Sequence, residues 1–152
     1  MAKAKPSNET EIKEETTKKA AKINWVTSVG RRKRAVARAR IWLEKNGQIL
    51  VNDKPVEEYF PALDAKVLYE EPLKAVDRFG QMSVSVKVSG GGPAGQLGAT
   101  VHALSNALVK FDESLREPLA KKGLLTRDPR EKERRKYGYA GKARARKQSP
   151  KR

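Results

Sequence analysis

The residues of this chain best suited to chemistry are a run of cations between residues 31 and 40. Six of these ten positions are basic and none is acidic: Arg31, Arg32, Lys33, Arg34, Arg38 and Arg40. Guanidinium and ammonium groups bind phosphate oxygens, and arginine does so with two parallel hydrogen bonds. Lysine and arginine also protect sheet edges from aggregation, but so dense a run exceeds that need. The run therefore predicts a contact with RNA or DNA.

A second run of cations lies at residues 134–152, where nine of nineteen residues are basic and none is acidic. Glycine and alanine spacers keep this segment narrow, and Tyr137 and Tyr139 are able to stack on bases. The segment either threads between nucleic-acid strands or is a nonspecific or address-carrying basic tail, and composition allows both interpretations.

Glycines at positions 90, 92 and 95 match the G-x-G-x-x-G spacing of dinucleotide sites, and Asp112 follows at roughly the expected distance. The context argues against such a site, because the helix predicted after these glycines leads to another helix rather than to a parallel strand. No cofactor is expected. The glycines either allow a tight turn with close packing or present a helix N-terminus to an RNA phosphate, and these two roles are compatible.

Other catalytic groups are scarce. The chain has no cysteine and a single histidine, His102, which excludes thiol chemistry, disulfides and cysteine or histidine metal clusters. His102 has no second ligand or nucleophile near it in sequence, so a structural or surface role is expected. We expect neither an enzyme nor a metal site. With no apolar run long enough for a bilayer or a signal peptide, we expect a cytoplasmic protein without membrane contact.

The formal net charge of +16 over 152 residues is concentrated in two segments. Residues 31–40 contribute +6 and residues 124–152 contribute +9, whereas residues 41–123 carry 10 basic and 11 acidic groups. A neutral body with two basic segments is typical of a protein that holds a polyanion.

The strands that must position these cations begin after an N-terminal extension. Residues 1–24 hold few large apolar side chains and are predicted to be disordered. Residues 25–29 and 35–43 predict two strands, and Asn46-Gly47 predicts a type I′ turn that pairs the second strand with residues 49–51 in a hairpin. Alternation over residues 81–88 predicts a strand with one buried face and one polar, potentially functional face.

Helical spacing appears twice. Between residues 56 and 76 four apolar residues share one helical face: Leu63, Val67, Leu68 and Val76. Pro61 and Pro72 are expected to divide that segment into two or three short helices. The clearest stripe runs from Leu97 to Phe111, and a shorter helix is predicted to end near Gly123.

The predicted order is β-β-β-α-β-α, which gives an α+β fold, a two-layer sandwich with helices on one face of the sheet. We predict three parts: the extension 1–24, a globular nucleic-acid-binding body 25–125, and a basic tail 126–152. The tail has almost nothing to bury, so it should be extended or only briefly helical around residues 130–136.

Three groups of motifs occur in this chain, and their combined order and spacing are highly specific for one protein family. The first is Gly30-Arg31-Arg32-Lys33-Arg34-Ala35-Val36-Ala37-Arg38. The second is Gly90-Gly91-Gly92 with Gly95-Gln96 leading to Ala103. The third is Leu124-Leu125-Thr126-Arg127-Asp128, then Arg130, Glu133-Arg134-Arg135-Lys136, Gly138, Lys142-Ala143-Arg144, Gln148 and Lys151-Arg152. From about Val29 to Arg152 the chain resembles the bacterial-type family of the ninth protein of the small ribosomal subunit.

This resemblance implies a structural constituent of the small ribosomal subunit, bound to the 3′ major (head) domain of its rRNA beside neighbouring head proteins. It also implies that the tail reaches the P-site tRNA, where Lys151 and Arg152 contact the anticodon stem-loop backbone. The family's βαβ crossover is left-handed, against the general rule. The residues that the resemblance and the charge pattern together predict to bind rRNA are Arg31, Arg32, Lys33, Arg34, Arg38, Arg40, Gly91, Gly92, Gln96, Arg127, Arg130, Arg134, Arg135, Lys136, Lys142, Arg144 and Arg146.

A general nucleic-acid-coating basic protein is the alternative function. Such a protein would bind duplex DNA and unrelated RNA almost as well as ribosomal RNA. Two features stand beside the family pattern. Residues 1–24 are an extension, and the stiff Ser149-Pro150 step lies where it can change how the last two residues are presented, an effect that the sequence leaves open.

Overall fold

A computed structural model describes residues 25–44, 47–139 and 143–144, and these contain five strands and four α-helices. The strands are β1 (Val26–Arg32), β2 (Ala35–Leu43), β3 (Ile49–Val51), β4 (Lys54–Pro55) and β5 (Met82–Ser89). The helices are α1 (Val56–Tyr59), α2 (Leu63–Ala75), α3 (Pro93–Phe111) and α4 (Arg116–Lys121), with a 3₁₀ turn at Glu113–Leu115. The predicted extension, residues 1–24, lies outside the described residues.

The five strands form one sheet in the order β1-β2-β5-β3-β4. β1, β2 and β5 pair antiparallel, whereas β3 pairs parallel with β5. Helix α3 packs across β1 and β2. The predicted α+β class is therefore confirmed, with β4 as an addition to the predicted order. The parallel pairing makes the β3-to-β5 connection a βαβ crossover, and its left-handedness stays a prediction.

The predicted hairpin between β2 and β3 is wrong, because β5 lies between these strands and pairs with both. Val84 is opposite Ile41 on one side and opposite Ile49 on the other. Gly47 does not close a tight turn. Its N–H donates to the carbonyl of Gly80 at 3.1 Å, and a Cβ on it would lie 2.3 Å from the Met82 carbonyl oxygen. The absence of a side chain at Gly47 thus allows the start of β5 to pack closely against it. Asn46 lies outside the described residues.

The core joins small residues of the sheet to small residues of α3. Three alternate alanines of β2 are fully buried: Ala35, Ala37 and Ala39. On the neighbouring strand, a Cβ on Gly30 would lie 2.1 Å from the Ala99 carbonyl oxygen and 2.3 Å from the Ala103 nitrogen. The small face of β1 and β2 is therefore closed by the backbone of α3, and the β2 arginines, Arg38 and Arg40, lie on the opposite face.

Helix α2 buries a different face from the predicted one. Ala65, Tyr69 and Leu73 are buried at four-residue intervals, whereas Leu63 and Val67 are exposed. Pro72 does not end the helix, contrary to the prediction. It is fully buried, and its packing offsets the backbone hydrogen bond that a proline cannot donate.

Helix α4 ends near Gly123, as predicted, and Gly123 follows its C-cap residue Lys122. This glycine has φ +70, its N–H donates to the Ala120 carbonyl at 2.9 Å, and the Leu124 N–H donates to the Leu119 carbonyl at 3.1 Å. That pair of bonds is a Schellman motif. Residues 126–136 contain no helix or strand, so the brief helix considered there does not form. Within the described part of the chain, no helix combines the length and apolarity needed to cross a bilayer.

Candidate nucleic-acid interface

The turn between β1 and β2 carries the densest group of cations. The strand register brings Arg32 opposite Ala35, which leaves Lys33 and Arg34 as the turn, with Lys33 at φ +51. Both turn residues are exposed, and so is Arg31 at the end of β1. Among the residues that the structure describes, Arg31, Lys33 and Arg34 form no ion pair. Their charges are therefore accessible to an anion.

The glycine loop packs beneath this turn. Gly90 and Gly91 have φ values of +74 and +65, which favour glycine. A Cβ on Gly90 would lie 2.7 Å from the Arg34 carbonyl oxygen, and one on Gly91 would lie 3.1 Å from Ala35. The close-packing role expected of these glycines is therefore present. Gly92 has open space at its Cβ position, and it is the N-cap of α3.

Helix α3 directs its N-terminus to the same end of the sheet. Because Pro93 is its first residue, the next N–H groups, those of Ala94 and Gly95, have no helical carbonyl one turn earlier. A Cβ on Gly95 would lie 3.5 Å from the Arg32 carbonyl oxygen and 3.9 Å from the Lys33 Cβ. The positive end of this 19-residue helix thus adds to the charge of the basic turn.

Gln96 is held by an internal hydrogen-bond network. Its Nε2 donates to the Gly90 carbonyl at 3.2 Å, and the Tyr59 hydroxyl donates to its Oε1 at 2.9 Å. Asn52 extends the network by exchanging two hydrogen bonds with the backbone of Val88, at 2.8 and 3.1 Å. Gln96 therefore positions the glycine loop, and its predicted contact with rRNA stays a prediction.

Asp128 joins the start of the tail to the basic turn. Its Oδ2 lies 2.8 Å from Nη2 of Arg32 and 2.6 Å from Nη2 of Arg130. Arg32 also donates to the Arg130 carbonyl at 3.3 Å. The hydrogen bonds from Arg130, with its charge and that of Arg32, hold the pKa of the Asp128 carboxyl well below its usual range. The tail therefore starts from a fixed point beside the turn.

Three segments that are distant in sequence thus converge at one end of the sheet. They are the turn 31–34, the glycine loop 90–92 with the first turn of α3, and the tail residues 127–130. We name this region the basic end.

A second group of cations lies on the open face of the sheet. Arg38 of β2 is directly opposite Lys87 of β5, and both are exposed. Like charges in this position repel, so an anion between them would be stabilising. Arg40 lies over the ring of Trp25, 5.0 Å from its centroid. The alternation of polar and apolar residues in β5 predicts Lys87 on the polar face of the strand, but only the observed strand register shows that Arg38 lies opposite it.

His102 lies where β1, α3 and the start of the tail meet. Its Nδ1 accepts a hydrogen bond from the Arg31 N–H at 3.4 Å, and its Nε2 lies 3.1 Å from the Asn106 amide nitrogen. Burial lowers the pKa of His102, a hydrogen bond with the Leu125 backbone acts in the opposite direction, and the nearby Arg127 lowers it further. A neutral ring held by backbone contacts fits the structural role expected for it.

The remaining predicted cations follow the tail. Four of them are exposed and form no ion pair within the described ranges: Arg127, Arg134, Arg135 and Lys136. The Nε of Arg144 donates to both carboxylate oxygens of Glu133, at 2.9 and 3.0 Å. Outside the described residues lie Lys142, Arg146, Lys151 and Arg152.

A cleft of about 590 Å³ beside β1 contains two cations that sequence reasoning missed, Lys110 and Arg116. The Lys110 ammonium donates to the Thr27 carbonyl at 3.2 Å. In sequence these two cations have acidic neighbours, namely Asp112, Glu113 and Glu117. They are therefore not part of a run of basic residues that a sequence search would find.

Comparison with known proteins gives a consistent result. A family model described as "Ribosomal protein S9/S16" matches residues 30–152. The chain is 48% identical over 130 residues to the "Small ribosomal subunit protein uS9" of Maridesulfovibrio salexigens, covering 86% of this chain and 97% of the relative. It is 52% identical over 123 residues to the protein of the same description from Solidesulfovibrio magneticus, covering 81% of this chain and 93% of the relative.

Proposed function

The chain belongs to the ribosomal protein S9/S16 family of structural, non-enzymatic small-subunit proteins, and from this premise we propose how it binds. The body, residues 25–125, packs on the 3′ major domain of the small-subunit rRNA, beside neighbouring proteins of the subunit head. The tail, residues 126–152, runs through that RNA towards the P-site tRNA, where Lys151 and Arg152 contact the anticodon stem-loop backbone.

The observation that carries the proposal is the convergence at the basic end. The exposed charges of Arg31, Lys33 and Arg34 lie beside the open N-terminus of α3. Backbone N–H groups at a helix N-terminus and nearby guanidinium groups are complementary to phosphate oxygens. We place an rRNA backbone segment here, and a second one along Arg38 and Lys87 on the open face of the sheet.

Selectivity for one RNA site follows from shape. Phosphate contacts position a protein on its nucleic acid without reading sequence. A rigid body that presents two separate groups of cations fits only an RNA surface whose backbones have matching spacing. This distinguishes the proposal from the alternative of a general nucleic-acid-coating protein.

The first experiment is sedimentation of the chain, labelled at its N-terminus, through sucrose gradients of cell lysate at moderate and then high salt. A shape-selected component comigrates with small subunits at moderate salt. A chain that stays at the top of the gradient or spreads over all nucleic acid supports the coating protein instead.

The proposed tRNA contact is tested with Arg152→Ala in purified subunits. Arginine offers up to five donors to phosphate oxygens, and losing a charged hydrogen bond of about 1.4 kcal/mol corresponds to roughly tenfold faster release of P-site tRNA. Lys147→Ala is the control, because it removes one tail charge away from the tip. Equal tRNA dissociation from both variants and the wild type would contradict the contact.

A further inference from the structure

The outer side of α2 exposes apolar residues that the core does not use. Leu63 is 87% exposed and Val67 is 67% exposed, and they are neighbours on the helix at i and i+4. Leu68, which is 44% exposed, continues the apolar strip on the adjacent row. The buried face of α2 is formed by other residues, so Leu63 and Val67 are surplus to folding, whereas Leu68 also lines a cavity with Leu97 and Val101 of α3. Contiguous exposed apolar side chains of this kind mark interaction surfaces.

Acidic residues surround this strip. Residues 53–77 hold seven acidic and three basic side chains, in a chain whose formal net charge is +16. Asp64, Leu68 and Glu71 are spaced at i, i+4 and i+7, so they form one row along the helix. This row lies next to the row of Leu63 and Val67. Within the described residues neither acid forms an ion pair. We name Leu63, Asp64, Val67, Leu68 and Glu71 the α2 outer surface.

The three lysines of this region are already engaged. Lys54 lies 3.1 Å from Glu58, Lys66 lies 3.3 Å from Glu57, and Lys74 lies 2.7 Å from Glu70. A hydrogen bond and the charge of Glu57, with the charge of Glu70, raise the pKa of Lys66. The local lysines are therefore held by other acids, and no other cation among the described residues pairs with Asp64 or Glu71.

An RNA backbone does not fit at Leu63 and Val67, because its phosphates would meet carboxylates and apolar side chains there. The chemistry complementary to this surface is a cationic polypeptide whose apolar side chains cover Leu63 and Val67 while its lysines or arginines pair with Asp64 and Glu71. We propose that the α2 outer surface docks a basic, apolar-containing segment of another small-subunit protein. The inference rests on the proposed function, since it places the surface inside the assembled subunit.

The chain's lack of cysteine allows a direct test. Val67→Cys is labelled with a photoactivated crosslinker, assembled into small subunits, purified and irradiated. Leu43→Cys is the matched control, because Leu43 is also an exposed apolar residue, at 56%, but lies at the end of β2. We expect Val67→Cys, and not the control, to crosslink to one lysine- or arginine-rich segment of another subunit protein. Adding Asp64→Asn and Glu71→Gln should reduce that yield several-fold.

A second measurement isolates the surface from assembly. The crosslinked segment, made as a peptide, should bind the full-length chain, and Leu63→Gln with Val67→Gln should weaken that binding about tenfold. These side chains are exposed, so the double variant should fold normally. Crosslinks to rRNA, to residues 1–24 of the same chain or to a second copy would each overturn the inference, as would their absence. If neither labelled chain enters subunits, the proposed function itself fails.

Discussion

The basic end and the α2 outer surface differ in the sign of their charges and in the size of the side chains beside those charges. At the basic end the exposed cations Lys33 and Arg34 sit on a turn whose underside is packed with glycine and alanine. On the α2 outer surface the charged groups are two carboxylates, exposed Asp64 and half-buried Glu71, beside large apolar side chains. Small residues let a backbone approach closely, whereas leucine and valine offer area to bury.

The difference indicates two kinds of partner for one small body. Ion pairing is used selectively: Asp128 holds Arg32 and Arg130 and so fixes the tail, but within the described residues no acid pairs with Arg31, Lys33 or Arg34. The acids of residues 53–77 make the α2 side unattractive to phosphate, although Leu68 of that side lines one cavity with Arg31 and Arg32 of the turn. Variants that alter one region and leave the other unchanged test this division.

Removing residues 131–152 should have the largest effect on RNA affinity. The deletion takes away ten basic and two acidic residues but keeps the Asp128 contact with Arg32. If about five phosphate contacts are lost, the slope of log K against log[salt] falls by roughly 3.5, at ~0.7 per contact. Affinity for a head-domain rRNA fragment should drop on the order of a thousandfold at low salt. Anisotropy titrations over a salt series measure both, and an unchanged slope would contradict a threaded tail.

A smaller loss is expected from the turn. Lys33→Gln with Arg34→Gln removes two exposed charges and leaves the strand register intact, so the rRNA affinity should fall about tenfold and the slope by roughly 1.4. Lys121→Gln with Lys122→Gln removes the same charge from the end of α4 and is the control. If both pairs weaken binding equally, the basic end is not a localised interface.

Much of this fold could be predicted from local patterns. The alternation of β5 and the stripe of α3 correspond to the observed elements because each is a single, strongly periodic segment. The β2–β3 hairpin could not be predicted correctly, since the Asn-Gly signal is local and the insertion of β5 is a tertiary event. The buried face of α2 was missed for a similar reason: Tyr69 and Leu73 fill the core, and spacing alone cannot rank two apolar faces.

The candidate interface was only partly predictable. Charge density identified the turn and the tail, because a run of cations without acids is visible in any window. The roles of Asp128 and Gln96 as positioning residues were not visible, since each depends on partners distant in sequence, Arg32 for the first and Tyr59 for the second. Lys87 also needs the strand register to become part of a site.

Asp128→Asn should loosen the tail with only a modest loss of stability. Without the carboxylate, Arg130 and Arg32 lose their shared partner, so trypsin should cleave after Arg130 a few-fold faster. Asp112→Asn is the control, because the pKa of Asp112 is also lowered, by hydrogen bonds from Ser114, but this residue contacts no cation in the described part of the tail.

The pH dependence of this variant has a defined sign. The folded pKa of Asp128 lies below its unfolded value of about 3.9, so its stabilising contribution is complete above that pH and is lost as the pH falls through the folded value. The difference in unfolding free energy between wild type and Asp128→Asn should therefore be constant from pH 7 to 5. If the difference in unfolding free energy disappears already at pH 6, the stabilisation comes from a titrating group other than Asp128.

The smallest effect is expected from His102→Gln. Burial lowers the folded pKa of His102 below its unfolded value of about 6.5, so the folded state favours the neutral ring. This contribution to stability is present above pH 6.5 and is lost as the pH falls through the folded pKa. Urea unfolding from pH 7.5 to 5 should show the wild type losing slightly more stability than the variant. Parallel pH profiles would mean that the ring is solvated and does not link β1, α3 and the tail.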